Sequence, residues 1–587
     1  MKRISLLLIG FLFTLSGCKK FTEPAPQNNG DFENIYKEPA LAHGLLLNGY
    51  TRLPTNGWSF NDVATDDAVS NDINNGYRKM ATGQWSAAFN PADQWTNSRA
   101  GIQYMNIFLA EADKVTWDSK DPMLNTMFND RQKGEAYGLR AYLMYYLLQA
   151  HAGWVGGVLY GFPLVLEPES PASNFNQPRA TFDACMKQIY SDLDKAETLL
   201  PLDYRDITGT GEIPQKYSGI KVETYNRVFG KFFNQRMTAR IAKAIRAKAS
   251  LMAASDAYSA GNTTTWVDAA THTAQVLGIN QQWMNNLDPN GVTWYDNRAE
   301  IDALASGASP REVLWRTNIG SNSDLEAAHF PPSLSGQGRL NPTQNLVNAF
   351  PMANGYPITN TTSSGYNAAT PYAGRDPRLA KYIVYNGNTI LTTNKVINTT
   401  IDVATNDDGL NRRETSTRTG YYMKKLLRQD VSRNPTVNNQ KHYKPHIRYT
   451  ELFLNYAEAA NEAWGPMGNG GNPVSAYDVI KAIRTRAGVG TTNAHAYLES
   501  IKGDKDAMRI LIRNERRLEL SFEGFRFWDL RRWNANLTEA VTGVSISANN
   551  YQPINVEARN YQDYMRFGPI PNSEKLKYSA LQQNAGW

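Results

Sequence analysis

Apolar residues recur at helical spacing in two long parts of this chain, and this feature constrains the fold most. Within residues 131–151, steps of three and four form one apolar stripe, which consists of Ala136, Leu139, Leu143, Tyr146 and Ala150. Similar helical patterns occur at about 97–117, 181–199, 235–259, 264–278, 449–465, 474–487, 504–523 and 525–534. Successive helices of this kind predict stacked hairpins, as in tetratricopeptide arrays, although the repeat signature itself is weak. The predicted class is mostly α.

The composition changes between residues 279 and 448. This stretch is rich in Asn, Thr, Gly and Pro, and only short runs such as 311–316 and 381–385 read as strands. Because plain loops of this length are uncommon in compact domains, we expect an irregular, loop-rich subdomain with short strands on the helical scaffold. A second irregular stretch covers residues 55–95. Loops on a rigid scaffold are where binding residues concentrate.

The first residues have the character of a targeting segment. Lys2 and Arg3 precede an apolar run over residues 4–15, which is shorter than the about 20 residues a membrane-spanning helix needs. The run ends in Leu15-Ser16-Gly17-Cys18, which resembles a bacterial lipobox. We therefore expect residues 1–17 to be a signal peptide and Cys18 to carry the lipid anchor.

The remaining chain divides by pattern into four parts. Residues 18–38 are polar and read as a flexible tether. The predicted folded parts are an N-terminal helical part at 39–278, the irregular subdomain at 279–448 and a C-terminal helical part at 449–587.

Charge and cysteine content exclude several classes of function. Removal of residues 1–17 takes away Lys2 and Arg3 and no acid, so the net charge falls from +6 to +4. A nearly neutral chain of this length gives no electrostatic case for binding nucleic acid. With Cys18 acylated, only Cys185 remains, so neither an intramolecular disulfide nor a cysteine-rich metal site is possible.

Several segments, in order along the chain, resemble the SusD/RagB family of outer-membrane lipoproteins. The most specific are Ile512–Leu520 (IRNERRLEL) and Phe522–Trp533 (FEGFRFWDLRRW). The supporting segments are Glu135–Leu147, Leu346–Ile358, Arg375–Leu379, Arg448–Ala459 and Gly568–Asn584. Together with the lipobox, the resemblance covers nearly the whole mature chain.

The resemblance implies a fold, a location and a role. Family members have tetratricopeptide-like helical hairpins that carry a more irregular ligand-binding part. They are anchored at the outer-membrane surface, here through Cys18, and act as lids over a SusC-like, TonB-dependent transporter. They bind a glycan, or in some members a peptide, and help deliver it for import. Neither a cofactor nor a nucleotide would be needed.

The helix around residues 511–525 carries a carboxylate on an apolar face. Glu515 shares that face with Leu511, Leu518 and Phe522. A buried carboxylate must be paired, and the nearby arginines at 513, 516, 517 and 526 are candidate partners. We interpret this residue and Glu519 as structural, in preference to the alternative of a general acid.

Motifs for catalysis are scarce, and we predict a protein that is not an enzyme. The sequence contains no G-x-S-x-G, H-E-x-x-H, C-x-x-C or phosphate-binding loop. His442 and His446 are spaced for one metal ion on a helix, but Pro445 between them argues against a helix, so no metal site is predicted. Asp66, Asp67 and Asp72 favour turn formation, with hydrogen bonding to sugar hydroxyls as the alternative.

Sugar binding requires flat aromatic side chains beside planar polar groups. In the first irregular stretch, the candidates are Trp58, Tyr77 and Trp85, with Asp67, Asn71 and Asn75 as polar neighbours. In the second, they are Trp283, Trp294 and Tyr295, with Asn285 and Asp296 nearby. The alternative is that these aromatic residues cover the core beneath the loops.

The leading hypothesis is a cell-surface lipoprotein that binds a glycan and works with a SusC-like transporter. The alternatives are an oligopeptide-binding member of the same family, a surface glycoside hydrolase and a helical-repeat scaffold without a small ligand. A peptide site would favour strands that pair with the peptide backbone over aromatic stacking.

Overall fold

The computed structural model describes residues 32–587 of the chain. The predicted signal peptide, Cys18 and most of the predicted tether lie outside the described residues. The last described residues of that range, 32–37, form a helix. This helix is tied to the body where the amide of Thr116 donates to the carbonyl of Tyr36 at 3.0 Å.

Helices dominate the described chain. They are α1 (Phe32–Lys37), α2 (Pro39–Thr51), α3 (Gly76–Lys79), α4 (Trp95–Glu111), α5 (Pro122–His151), α6 (Phe182–Leu199), α7 (Val222–Phe229), α8 (Ala239–Ala254), α9 (Trp266–Leu277), α10 (Arg298–Ala303), α11 (Asp324–His329), α12 (Gln344–Ala349), α13 (Pro377–Tyr382), α14 (Tyr449–Trp464), α15 (Ala476–Ala487), α16 (Ala496–Ile501), α17 (Lys505–Glu519), α18 (Arg526–Arg532) and α19 (Asn572–Lys577). Short 3-10 turns connect several of them.

Side-chain caps set where the long helices begin. Thr181 accepts a hydrogen bond from the amide of Ala184 at the start of α6. Thr265 and Ser475 open α9 and α15 with capping boxes, in which an Asp three residues later returns the hydrogen bond. Helix α5 begins at Pro122 behind the cap Asp121, nine residues before the predicted helical range of 131–151.

The long helices pack in a row that largely follows chain order. Helix α4 packs on α5, α5 on α6, α6 on α8, α8 on α9 and α9 on α14, which in turn contacts α15 and α17. One large apolar cluster runs through the row, and Leu139, Tyr142, Ile189, Ile245 and Phe453 are fully buried in it. The prediction of a mostly α protein built on helical hairpins is confirmed.

The strands are short and pair only two by two. They are β1 (Ala68–Ser70), β2 (Gly153–Val155), β3 (Val158–Tyr160), β4 (Val313–Arg316), β5 (Gly320–Asn322), β6 (Leu340–Pro342), β7 (Ile383–Val384), β8 (Thr389–Ile390), β9 (Lys395–Val396), β10 (Tyr422–Met423), β11 (Gln440–His442), β12 (Pro445–Arg448), β13 (Val541–Ser547) and β14 (Asn550–Glu557). Most lie in the irregular part, as expected, whereas the hairpin β13–β14 belongs to the C-terminal part and was not predicted.

Two ladders connect distant parts of the chain near the cleft described below. Strand β1 pairs antiparallel with β6, so that Ala68 faces Pro342. Strand β12 pairs with β4 and leads directly into helix α14. The irregular part has a core of its own, in which Trp294, Phe350, Tyr382 and Tyr422 are buried. Among the described residues, no helix is both long and apolar enough to cross a membrane.

Candidate functional site

A cleft lies between the row of helices, the loop of residues 54–61 and strand β12 with the preceding Lys444. Its volume is about 130 Å³, and it opens to solvent. Its walls come from α5, α8, α14 and α18, from strand β12, and from the two irregular stretches before and after α3. The partly exposed aromatic side chains in these walls are Trp58, Tyr77, Tyr146, Phe525 and Trp528.

Trp58 lies on one wall of the cleft, on the loop that follows α2. Its indole ring stacks on Phe60, with ring centroids 6.0 Å apart. The ammonium group of Lys444 lies 5.3 Å from the centre of the indole ring, within cation–π range. The same ammonium donates a hydrogen bond to the carbonyl of Gly57, which holds the loop against strand β12.

Tyr77 and Trp528 contribute further aromatic surface to the cleft. Both contact the buried ring of Phe527 edge-on, with centroid distances of 6.5 Å for Tyr77 and 4.8 Å for Trp528. Burial raises the pKa of the Tyr77 phenol to about 12, so this side chain is neutral and its hydroxyl can donate a hydrogen bond.

The polar groups at the floor of the cleft are mostly paired with one another. Lys248 contacts Glu451 at 2.5 Å, and Arg516 contacts Asp529 at 2.6 Å. Arg448 lies 2.8 Å from Glu523. The Oδ1 atom of Asn61, which is buried beside the cleft, has no hydrogen-bond partner within the described chain.

The structure brings only two of the predicted ligand residues, Trp58 and Tyr77, into this cleft. Asn71 lies outside it, where its side chain donates to the carbonyl of Gln337 at 2.9 Å. Asn75 caps α3 by accepting from the amide of Arg78. Ligand contact by Trp58 and Tyr77 stays a prediction.

Trp85 does not present the ring face that sugar stacking requires. It is only 5% exposed and packs against Phe527 and Tyr561, each with a centroid distance of 6.1 Å. Its indole nitrogen donates to Asn90 at 3.0 Å. The expectation of an accessible ring is therefore corrected, and the alternative of a core-covering aromatic residue describes Trp85.

The aromatic residues predicted in the second irregular stretch are also removed from the cleft. Trp294 and Tyr295 are 1% and 7% exposed and belong to the core of the irregular part. Trp283 is partly buried and packs edge-on against Tyr456 of α14, with centroids 5.6 Å apart. Asp296 accepts from the amide of Gln429 at 3.0 Å. Burial corrects the expectation of exposed rings for Trp294 and Tyr295.

The acidic pair Asp66 and Asp67 of the first irregular stretch is held in ion pairs with arginines. Arg517 lies 2.6 Å from Asp67 and 2.8 Å from Asp66, and Arg526 lies 2.8 Å from Asp66. Burial tends to raise the pKa of Asp66, but the two guanidinium groups hold it well below its ordinary value. Neither carboxylate is exposed to a ligand. Asp72 forms a turn, as expected, by accepting from the amide of Asn74 at 2.8 Å.

Glu515 and Glu519 are paired with arginines, as the sequence predicted, but not with the arginines near them. Arg378 contacts both, and Arg484 and Arg486 each contact one of them. The nearby Arg516 and Arg517 bind aspartates instead. The prediction that arginines pair with these buried glutamates is therefore right, but the predicted partner residues are wrong.

A tyrosine surface on the irregular part was missed. Tyr372 stacks on Tyr385 with centroids 4.2 Å apart, and Tyr551 packs edge-on against Tyr372 at 5.7 Å. A shallow groove beside them is lined by Thr370 and Asn549. Tyr372 and Tyr385 met the criterion of an aromatic residue with polar neighbours in an irregular stretch, so that criterion could have found them.

The histidines and the remaining cysteine do not form a metal centre. His442 contacts Glu326 at 3.0 Å, whereas His446 contacts Thr55 at 2.6 Å, so the two rings have separate partners. Across residues 32–587, no three or more His, Cys, Asp or Glu side chains are placed to hold a metal ion. Cys185 is buried, and burial raises the pKa of its thiol to about 12.

Two family models match this chain. One described as the SusD family matches residues 308–587, and one described as starch-binding associating with outer membrane matches residues 43–210. The SusD-like protein P38 of Formosa agariphila is 35% identical over 89 residues. That match spans 15% of this chain and 16% of that protein.

Solved structures share the fold over nearly the whole chain. A SusD-like protein from Bacteroides fragilis has a TM-score of 0.70 at 22% identity, covering 96% of this chain and 100% of that one. A SusD-like carbohydrate binding protein from the same species has a TM-score of 0.67 at 20% identity, covering 94% and 100%. The matched models and the shared fold together show that this chain belongs to the SusD/RagB family.

Proposed function

We propose that the protein is a surface lipoprotein that captures a glycan and delivers it to a SusC-like, TonB-dependent transporter, over which it acts as a lid. The observation that carries the binding role is the cleft, in which Trp58, Tyr77 and Trp528 expose aromatic surface around a polar floor. The family match supports the role, since one matching model is described as starch-binding. Cys18 would supply the anchor.

The arrangement suits a sugar for elementary reasons. A pyranose ring has an apolar face that packs on a flat aromatic ring and hydroxyl groups that need donors and acceptors. Trp58 and Trp528 offer aromatic rings for the apolar face of the sugar. The hydroxyl of Tyr77 and the side-chain amide of Gln149, which both line the cleft, offer partners for the hydroxyl groups.

The carboxylates of the cleft support binding without hydrolysis. A glycoside hydrolase needs one carboxyl group that stays protonated and a second that acts as base or nucleophile. Glu523 and Asp529 are both held in ion pairs with arginine. Burial tends to raise the pKa of Glu523, but Arg448 and Lys425 hold it below its ordinary value, so it does not serve as an acid.

Binding to a panel of polysaccharides, measured by affinity gel electrophoresis and calorimetry, tests the proposal. Trp58→Ala and Trp528→Ala are expected to weaken binding by about ten-fold or more each, because stacking and its buried area are lost. Phe232, which is 88% exposed in the turn after α7 and does not line the cleft, supplies the matched control as Phe232→Ala. Equal glycan binding by all three variants would show that the cleft is not the binding site. Binding of oligopeptides and of no glycan would contradict a glycan ligand and favour a peptide ligand.

Delivery requires a separate measurement. The lipidated protein, purified from membranes in mild detergent, is expected to carry a TonB-dependent barrel with it. A Cys18→Ala variant is expected to leave the membrane fraction while its glycan affinity stays unchanged. Retention of that variant at the membrane would contradict the anchor.

A further inference from the structure

We infer that the cleft selects an anionic glycan, in which a carboxylate or sulfate group on the sugar binds the ammonium group of Lys444 beside Trp58. This inference rests on the proposed function and deepens it, because it names the class of glycan. It follows from two observations: the pairing of charges in the cleft, and the position of Lys444 next to an aromatic ring.

Lys444 differs from the other cations of the cleft in having no carboxylate partner. Lys248, Arg448 and Arg516 each lie within 2.8 Å of a carboxylate oxygen. Arg532 contacts both Glu458 and Asp529. Within the described chain, Lys444 makes no ion pair, and its ammonium group donates to the carbonyl of Gly57. A carbonyl leaves two of the three ammonium protons for a ligand.

The position of this ammonium group fits a substituent of a stacked sugar. Its nitrogen lies over the Trp58 ring, 5.3 Å from the ring centre, so an acidic substituent of a glycan bound against the indole would reach the charge. A neutral sugar would offer only hydroxyl groups there. A carboxylate or sulfate group would form a charge-assisted hydrogen bond with the ammonium group. Such a bond is shorter and roughly twice as strong as a hydrogen bond between neutral groups.

The surroundings of Lys444 disfavour the charged form of its side chain when no anion is bound. Burial and the charge of Lys248 lower the pKa of Lys444 to about 7, with Glu523 opposing them. His446 beside it has a pKa lowered to about 3, first by burial and then by Lys444 and Lys248, so it stays neutral. The other charged groups that line the cleft are Glu451, Arg448, Arg516, Asp529 and Arg532.

Anion binding and protonation of Lys444 are therefore coupled. The ligand binds the ammonium form, so the association constant is constant well below pH 7 and falls as the pH rises through the pKa of about 7. At about pH 8 the complex takes up protons from the buffer, because the bound anion raises the pKa again. A neutral glycan in the same cleft causes neither effect.

The test is calorimetry of the full mature protein with three oligosaccharide sets of matched length. These are oligogalacturonates, sulfated galactan oligosaccharides and neutral gluco-oligosaccharides. At least one anionic set is expected to bind about ten-fold or more tightly than the neutral set, and Lys444→Met is expected to remove that preference. Lys444→Arg is expected to retain it at pH 8 without proton uptake.

Lys441→Met provides the matched control, because Lys441 lies three residues earlier and its ammonium group donates to the carbonyl of Asp302 outside the cleft. It is expected to bind like the parent. Thermal unfolding of each variant shows whether it is folded. We also expect the parent to take up protons on binding, and calorimetry in two buffers of different ionisation enthalpy measures this uptake. That measurement reports on Lys444 without any substitution.

The outcomes separate the two proposals. If neutral glycans bind as tightly as anionic ones and Trp58→Ala abolishes both, the proposed function stands and this inference is overturned. If no glycan binds, both fail. Binding of acidic peptides with the same dependence on Lys444, in the absence of glycan binding, also overturns the inference and would point to the oligopeptide alternative.

Discussion

The guanidinium group of Arg378 lies 2.8 Å from Glu515 and 2.9 Å from Glu519, and all three side chains are fully buried. Arg378 belongs to α13 in the irregular part, whereas both glutamates belong to α17 in the C-terminal helical part. Asp376 completes the arrangement at 2.7 Å from Arg378. A buried network of charges thus connects the irregular part to the helices.

Removal of Arg378 should destabilise the protein strongly. In an Arg378→Met variant the buried carboxylates of Asp376, Glu515 and Glu519 lose a shared partner, and breaking a buried ion pair from one side costs about 3–5 kcal/mol. The shift in the urea midpoint measures the loss. Arg413→Met is the matched control, because the pair of Arg413 with Asp407 is half exposed on both sides and contributes little. Equal midpoints for the two variants would contradict the role of the network.

Trp58 and Trp85 should respond in opposite ways to substitution by alanine. Trp85→Ala removes a buried ring, which costs about 3–5 kcal/mol of unfolding free energy. Trp58→Ala removes a partly exposed ring at the cleft and should leave the unfolding midpoint close to that of the parent while glycan binding weakens. Denaturant titration and calorimetry on both variants check this. A large loss of stability in Trp58→Ala would contradict the assignment.

Asp62 should make the protein less stable as the pH rises from about 4 to about 7. Burial, and then the charge of Asp67, raise the pKa of Asp62 to about 7 in the folded protein, while the unfolded chain ionises near 4. Because the unfolded state loses its proton first, stability is highest below the unfolded pKa and falls until the folded carboxyl group ionises.

An Asp62→Asn variant removes this dependence and should be more stable than the parent at pH 8, by on the order of 2 kcal/mol. Urea midpoints at pH 5 and pH 8 measure the difference. Asp563→Asn, at a fully exposed position, should show the same change with pH as the parent. An Asp62→Asn variant that weakens the protein at both pH values would refute the interpretation.

Two glycines with nearly the same backbone conformation should differ in how much stability is lost when they are replaced by alanine. Gly420 and Gly387 have φ of +87° and +82°. A Cβ atom at Gly387 meets nothing within 4 Å, whereas at Gly420 it would lie 2.5 Å from the carbonyl oxygen of Val544 on β13. Gly387→Ala should cost about 1 kcal/mol from the left-handed conformation alone, and Gly420→Ala about 3 kcal/mol or more. Thermal unfolding of the two variants compares them directly.

The helical scaffold was predictable because its signal is local. The spacing of Leu139, Leu143 and Ala150 predicts α5 without knowledge of its neighbours. The start of that helix was missed although Asp121 and Pro122 form a cap and Met123, Leu124 and Met127 supply apolar residues ahead of residue 131. The hairpin β13–β14 was missed because much of β14 is exposed and polar.

The candidate site was less predictable because it is assembled from distant residues. Nothing in the local sequence separates Trp58, at the cleft, from Trp85, in the core, since both are tryptophans in a polar stretch. What separates them is whether Phe527 and Tyr561, from the other end of the chain, cover the ring. Lys444 and Trp528 were not predicted as site residues because they lie far from Trp58 in sequence and approach it only in the folded chain.

The ladder between β1 and β6 joins Ala68 to Pro342, and the cleft beside it needs Trp58 from the beginning of the chain and Trp528 from near its end. Local helix pairs form quickly, whereas contacts between residues so far apart in sequence wait for slow chain closure. We therefore expect the neighbouring helices α4 to α9 to pair early during synthesis and the ligand-binding surface to form last. A chain released before completion would have ordered helices but no receptor activity.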